Sequence, residues 1–318
     1  MGVWLTWLTL FYLVWASVCF SLGLWDETLN HWPIALAMAL GSYVAGSTPM
    51  GGGTVGFPVL VLLFDMPASL GRNFGLMVQS IGMTSASIFI FCRRTPIELP
   101  ILGWCTLGAA LGLVSGTFLI VPLISDTTVK IAFACLWASF GVLTLIKNRE
   151  FCSFDQITAI HPVEARNLGL LIGVLGGVTT SLTGVGIDMM LYTLLVLLYR
   201  MDLKVAVPTS VVIMAASSVM GTLLHIGIGD LGAEAFYNWM AASPIVILGA
   251  PLGAFLVSVI SRVKTLYFVA VLCILQFFWT LTQVPLNAAL VGLVVVNLAV
   301  ASVGFLLMYR LGAARLRL

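Results

Sequence analysis

Residues 32–64 form one apolar run, broken at its centre by Ala45-Gly46-Ser47-Thr48-Pro49-Met50-Gly51-Gly52-Gly53-Thr54-Val55-Gly56-Phe57-Pro58. Three consecutive glycines and two prolines remove backbone hydrogen bonds and raise the entropy cost of ordering. The flanks, residues 34–40 and 59–64, are nevertheless purely apolar. In hydrocarbon, broken backbone persists only where protein buries it or where it lines a polar cavity. The stretch therefore reads as a discontinuous membrane segment that marks a site.

The remaining chain supplies the membrane. Apolar runs at 3–22, 74–92, 99–121, 129–146, 205–226, 239–260, 265–281 and 286–309 each approach the about 20 residues that a bilayer-crossing helix needs. With 61% hydrophobic and 8% charged residues, the expected class is an all-α polytopic membrane protein, and nothing in the charge pattern suits a nucleic-acid partner. Cys19, Cys92, Cys105, Cys135, Cys152 and Cys273 show no C-x-x-C spacing and read as small buried hydrophobes, neither a disulfide framework nor a metal site. The first apolar run has no preceding basic residue and no clear small-residue cleavage site, so it reads as a retained helix, with a cleaved signal as the alternative.

A second broken run, residues 167–199, has the same length as the first. One span needs about 20 residues and two spans with a turn more than about 40, and both broken runs fall between. Each thus fits a hairpin of half-helices that enters and leaves by one side; two short full spans are the alternative. With the N-terminus cytoplasmic, twelve of the 14 Lys and Arg residues fall inside and only Arg72 and Lys130 outside, as the positive-inside rule requires. Asp26, Glu27, Asp230 and Glu234 fall in outer loops. Both termini are expected on the cytoplasmic side of the cell inner membrane.

Sliding the chain until Trp32 falls on Asn167 superposes the two broken runs, with Gly41 on Gly176, Gly51 on Gly186 and Met66 on Met201. Each copy then reads as a broken-helix hairpin plus three transmembrane helices. Three crossings is odd, so the second copy is inserted upside down, and the plan is one of two inverted repeats with one extra helix at each end. The expected units are an N-terminal helix at 1–31, a first repeat at 32–147, a cytoplasmic linker at 148–166, a second repeat at 167–283 and a C-terminal helix with basic tail at 284–318.

Three stretches, Pro49-Met50-Gly51-Gly52-Gly53-Thr54-Val55-Gly56-Phe57-Pro58-Val59-Leu60, Gly184-Val185-Gly186-Ile187-Asp188 and Lys204-Val205-Ala206-Val207-Pro208-Thr209-Ser210, resemble the two halves of the sulfite exporter TauE/SafE family. The likeness runs from Trp32 to about Leu281 in element order. It implies movement of sulfite, sulfonates or related sulfur oxyanions without ATP. Two departures bear on the substrate: Arg72-Asn73-Phe74 stands where the second copy has Val207-Pro208-Thr209, and Asp188 stands where the first copy has Gly53.

A small oxyanion at the membrane midplane needs hydrogen-bond donors and a positive potential, which half-helix N-termini, hydroxyls and amides supply. The hairpin tips offer Ser47, Thr48, Gly51, Gly52, Gly53, Thr180, Ser181, Thr183, Gly184 and Gly186, and the following helices add Gln79 and Ser217. The plainer role for each alone is to let helices approach or to satisfy its own i−4 carbonyl. Asp188 is the only acid inside any apolar run. An acid desolvated at that depth favours its protonated form, which suits a proton-coupling role; the plainer role is a helix cap. Arg72, near the outer end of its span, is an anion-attracting candidate or an interfacial side chain. His161 and His225 read as surface or interfacial histidines rather than metal ligands.

The leading expectation is a secondary transporter of a small sulfur-containing anion, working by alternating access. A transporter or channel for another solute, such as a carboxylate, is the second. An intramembrane enzyme is third, because no HExxH, no GxSxG and no His/Cys cluster is present and Asp188 has no evident catalytic partner. No catalytic residue, cofactor or metal is expected; the partners are the anion and the bilayer, and the oligomeric state is not legible.

Overall fold

Where the chain is apolar it is helical, because in lipid a helix satisfies every backbone group internally. The structure, a computed structural model, describes residues 1–48, 53–154, 160–256, 262–284 and 287–315. In order the elements are α1 (Gly2–Ser21), α2 (Trp25–Asn30), α3 (Trp32–Ser47), α4 (Gly53–Pro58), α5 (Ala68–Cys92), α6 (Leu99–Ser115), α7 (Asp126–Cys152), α8 (Pro162–Thr183), α9 (Ile187–Thr193), α10 (Leu203–Ile228), α11 (Ala233–Leu256), α12 (Arg262–Gln283) and α13 (Ala288–Arg315). Among the described residues nine helices are long and apolar enough to cross a membrane, and no strand occurs. Proline in the first turn opens α3, α6 and α8, where its missing N–H costs nothing. Ser125 caps α7 and Asp202 caps α10 by accepting from the amides of Thr128 and Lys204, which satisfies orphan donors.

The two broken runs differ in their first arms. The arm α3 is too short to cross, whereas α8 extends back to Pro162 and at 22 residues is long enough. A half-helix was the expectation for both. The helix α8 gains its length from residues 162–166, where Glu164 is paired with Arg315 of α13 at 2.9 Å. Likewise α5 starts at Ala68 instead of Phe74, taking Arg72 and Asn73 into its second turn, because both side chains find partners there.

Several local features recur at the offset that lays Trp32 on Asn167. A π-helical stretch follows α4 at Val59–Leu63 and α9 at Leu194–Leu198. Asp65 and Arg200 both take positive φ, 51° and 49°. The amide of Met66 donates to Leu60 O at 3.0 Å and that of Met201 to Leu195 O at 3.1 Å. Packing follows the same exchange: α6 lies along α8, α11 along α3, and α5 packs on α10 as α7 packs on α12. The α6–α8 seam is built from Gly108, Gly112 and Gly116 facing Gly169, Gly173 and Gly177; a methyl added at Gly108 would meet Leu170 O at 2.5 Å. Small residues at every fourth position allow this close approach. Outside this body, α1 is pinned by hydrogen bonds from Trp4 to Ser85 Oγ (3.0 Å), from Tyr12 to Pro244 O (2.6 Å) and from Trp15 to Met240 O (2.9 Å).

Candidate functional site

The tip between α8 and α9 is held by its own backbone. Gly184 ends α8 with φ 77°, Gly186 follows with φ 123°, and Thr183 Oγ1 donates between Thr179 O (3.0 Å) and Val185 O (2.8 Å). These left-handed conformations are strained for any residue with a Cβ. Asp188 lies in the first turn of α9, fully buried. Its Oδ1 accepts from the amides of Gly186 (3.2 Å) and Met189 (2.9 Å), while Oδ2 has no hydrogen-bond partner among the described residues. One oxygen caps the helix and the other is left over.

Gln79 connects this tip to the rest of the bundle. Its Nε2 donates to Gly75 O and to Gly184 O, both at 3.1 Å, and its Oε1 is buried without a partner among the described residues. The same side chain borders a small void against Ser42 and Ala45 of α3 and Val246 of α11. Gln79 therefore touches one broken segment and faces the other. Where α5 meets α10, Gly221 packs on Leu76. One turn away from that contact are Ser217 and Ser218 on α10, whose buried hydroxyls also lack partners, as does Thr180 on α8. Ordinary membrane hydroxyls bond back to their own helix, as Ser80, Ser87, Thr209 and Ser210 do. A buried polar group with no partner costs about 1–3 kcal/mol. Carboxamide, carboxyl and hydroxyl oxygens are thus left without partners among the described residues.

The α3 arm ends differently. Ser47 and Thr48 both donate to Val44 O, at 3.4 and 2.8 Å. Gly51 and Gly52 lie outside the described residues, and Gly53 opens α4. Gly46 and Ser47 line a cavity of about 370 Å³ together with Arg93, Arg94 and Lys204, and no acid lines it among the described residues. Sequence reasoning used these three cations only as topology markers; their convergence comes from the turn after α5 meeting the start of α10.

Other expected site residues are elsewhere. Ser181 turns into the α6 seam, against Gly116, and its hydroxyl bonds Val178 O at 2.7 Å. Arg72 is buried and already paired with Asp230 at 3.2 Å. His225, expected at a surface, is fully buried and bonded through Nδ1 to Asp230 Oδ1 at 2.6 Å, because the left-handed Gly229 folds the chain back over the end of α10. His161 is exposed. Among the described residues no group of three or more His, Cys, Asp or Glu side chains is placed to hold a metal ion, and none of the six cysteines is in a disulfide.

A family model described as Sulfite exporter TauE/SafE matches residues 34–277, most of the chain. No curated protein and no solved structure gives a match.

Proposed function

Because the chain belongs to the sulfite exporter TauE/SafE family, a family of membrane transporters, we propose that it is a secondary transporter of a small sulfur-containing anion: sulfite, an organosulfonate or thiosulfate. It works across the cell inner membrane with both termini cytoplasmic, by alternating access between two inverted repeats, 32–147 and 167–283. The recurrence of the π-helical stretches and of the positive-φ residues Asp65 and Arg200 supports the repeat, and the placement of Arg93, Arg94 and Lys204 supports the orientation.

The observation that carries the reading is that Gln79, Thr180, Asp188, Ser217 and Ser218 carry buried oxygens without a hydrogen-bond partner among the described residues. Hydroxyls rotate to donate to an oxyanion at no geometric cost, and Gln79, whose Nε2 donates to Gly75 O and Gly184 O, becomes a donor to the anion by releasing one of them. Ser47, Thr48 and Gly53 supply the corresponding rim of the first segment. Asp188 couples protons: protonated, its Oδ2 donates to the bound anion; ionised, it repels the anion and favours release.

The test is binding and vesicle flux over sulfite, thiosulfate, sulfate, taurine, isethionate, sulfoacetate and acetate. Gln79→Ala and Ser217→Ala should each weaken the preferred anion by about tenfold, the loss of one to two hydrogen bonds to a charged ligand, while Ser181→Ala, in the helix seam, leaves it unchanged. Asp188→Asn should abolish any pH dependence of flux. If acetate binds as well as every sulfur anion, the substrate class is wrong; if Gln79→Ala and Ser217→Ala bind like wild type, the site is.

A further inference from the structure

The helices α5 and α10 pack side by side, with Gly221 on Leu76. At one end they are tied together. Arg72 in the second turn of α5 donates through Nη2 to Asp230 Oδ2 at 3.2 Å and through Nε to Asn73 Oδ1 at 2.9 Å. Asn73 Nδ2 donates to Asp230 O at 2.7 Å, and His225 at the end of α10 meets Asp230 Oδ1 at 2.6 Å. Asp230 lies in the short turn between Gly229 and Gly232, both at positive φ. At the other end α5 and α10 diverge: Phe89, Ile90 and Arg93 face Leu203, Lys204 and Val207 across the 370 Å³ cavity. No hydrogen bond joins the two helices there among the described residues.

The tied end covers the candidate site. Gly184, the αL residue at the α8–α9 tip, is packed on the Arg72 carbonyl, and Gln79, two turns further along α5, holds Gly184 O at 3.1 Å. Between the tie and the cavity lie the unpartnered oxygens of Gln79, Ser217 and Ser218. These oxygens are buried, and the tie lies on the side of them away from the cation-lined cavity.

On the transporter reading, we infer that Arg72, Asp230 and His225, with Asn73, form the gate on the face opposite the Arg93–Arg94–Lys204 cavity, and that it is closed in this structure. A guanidinium 5% exposed cannot give up its counter-charge without a replacement, whereas the Asp230 carboxylate is 40% exposed and free to turn outward. The gate opens when Asp230 leaves Arg72. An anion arriving from that face takes its place on the guanidinium, and the α10–α11 turn swings on Gly229 and Gly232.

The experiment is the rate at which a membrane-impermeant maleimide labels Ser218→Cys from each side of sealed vesicles, relative to the same background without that cysteine. With the gate intact, labelling is slow from the side of Asp230. Asp230→Asn should accelerate it about tenfold or more, since removing one member of a buried charge pair is costly to the closed state. The exchanged pair Arg72→Asp with Asp230→Arg should restore protection. Labelling of Ser47→Cys from the opposite side should slow as the gate opens, so a merely unfolded variant, exposed from both sides, is recognised and replaced by the milder Asn73→Ser. Unchanged labelling of Ser218→Cys in folded Asp230→Asn and Asn73→Ser overturns the gate. Labelling needs no substrate, so a protein that gates this way yet moves none of the sulfur anions keeps the gate and loses the substrate.

Discussion

The two broken segments share a backbone plan and differ in what holds them. Both return through a π-helical stretch to a residue at positive φ, Asp65 in the first and Arg200 in the second. At matching positions, however, Leu63 and Phe64 are 57% and 40% exposed while Leu198 and Tyr199 are each 8% exposed. The second segment is clamped: Arg200 meets Glu150 at 3.0 Å and lies over the rings of Phe154 (4.9 Å) and Tyr309 (5.1 Å), Tyr199 donates to Glu164 at 2.8 Å, and Gly312 of α13 rests on Leu197 O. Among the described residues nothing equivalent covers the return arm of the first. The second segment is therefore anchored through α13, whereas in the first Leu60, Val61 and Leu62 are buried but the end of the return arm, Leu63 and Phe64, is exposed.

The largest effect expected is at the tip of the anchored segment. In Gly184→Ala the new methyl would stand 2.5 Å from Arg72 O at φ 77°, adding about 1 kcal/mol of left-handed strain to about 1–3 kcal/mol of overpacking. The purified protein should melt well below wild type, and an unchanged melting temperature would refute the tip geometry. The equivalent glycines Gly176 and Gly41 sharpen the comparison. A methyl at Gly176 meets Ile187 at 2.7 Å, a β-branched side chain with its own backbone 3.0 Å behind, whereas at Gly41 it meets the flexible end of Met38 at 3.1 Å. Gly176→Ala should cost about 1–3 kcal/mol, and Gly41→Ala less, because Met38 re-packs easily and Val55 Cβ, at 3.3 Å, has to give only slightly. Equal losses would mean that the two arms are equally tight.

A smaller effect tests the clamp itself. Burial works against the Glu150 carboxylate, but hydrogen bonds from Tyr309, Lys147 and Arg200 outweigh it and hold its pKa below the usual carboxylate value. A lowered folded value means stability that is complete above the ordinary carboxylate pKa and is lost as pH falls through the lowered one. Protection of the amides over residues 194–201, relative to their intrinsic exchange rates, should therefore fall in acid, and in Arg200→Gln it should fall by about tenfold at neutral pH, equivalent to about 1.4 kcal/mol for a half-buried pair. Protection over residues 59–66 should respond to neither. A parallel response in both segments would remove the asymmetry.

Much of this was legible before any coordinates, and the rest was hidden for identifiable reasons. Run lengths place eight of the nine long helices among the described residues, since lipid leaves an apolar segment few alternatives, but not α8, which was expected as a half-helix. The sliding shift, drawn from matches such as Met66 with Met201, falls on the same register as the π-helical stretches. Facing direction was not legible. Thr180 and Ser181 are adjacent hydroxyls on one helix, yet about 100° of rotation leaves one unpartnered and turns the other into the α6 seam. The bond between His225 and Asp230 was hidden because it depends on a left-handed glycine folding a helix end back on itself. Arg93, Arg94 and Lys204 had already been accounted for by topology, so nothing in their spacing announced a shared cavity.

The smallest effect is the most discriminating about the exposed end of the first return arm. Asp65 holds φ 51° with its side chain exposed. Replacing it by glycine relieves about 1 kcal/mol of left-handed strain and adds a similar entropy to the unfolded chain, so Asp65→Gly should leave the melting temperature near wild type. Arg200→Gly removes the same strain at the matching position but also the Glu150 ion pair and both ring contacts, and must lose stability. If Asp65→Gly proves as damaging as Arg200→Gly, then Asp65 has a partner that matters to the fold and the first segment is held after all. If it is neutral, the same backbone turn is used twice in the chain, once as an anchored joint and once as an unanchored one, and the side-chain partners alone make the difference.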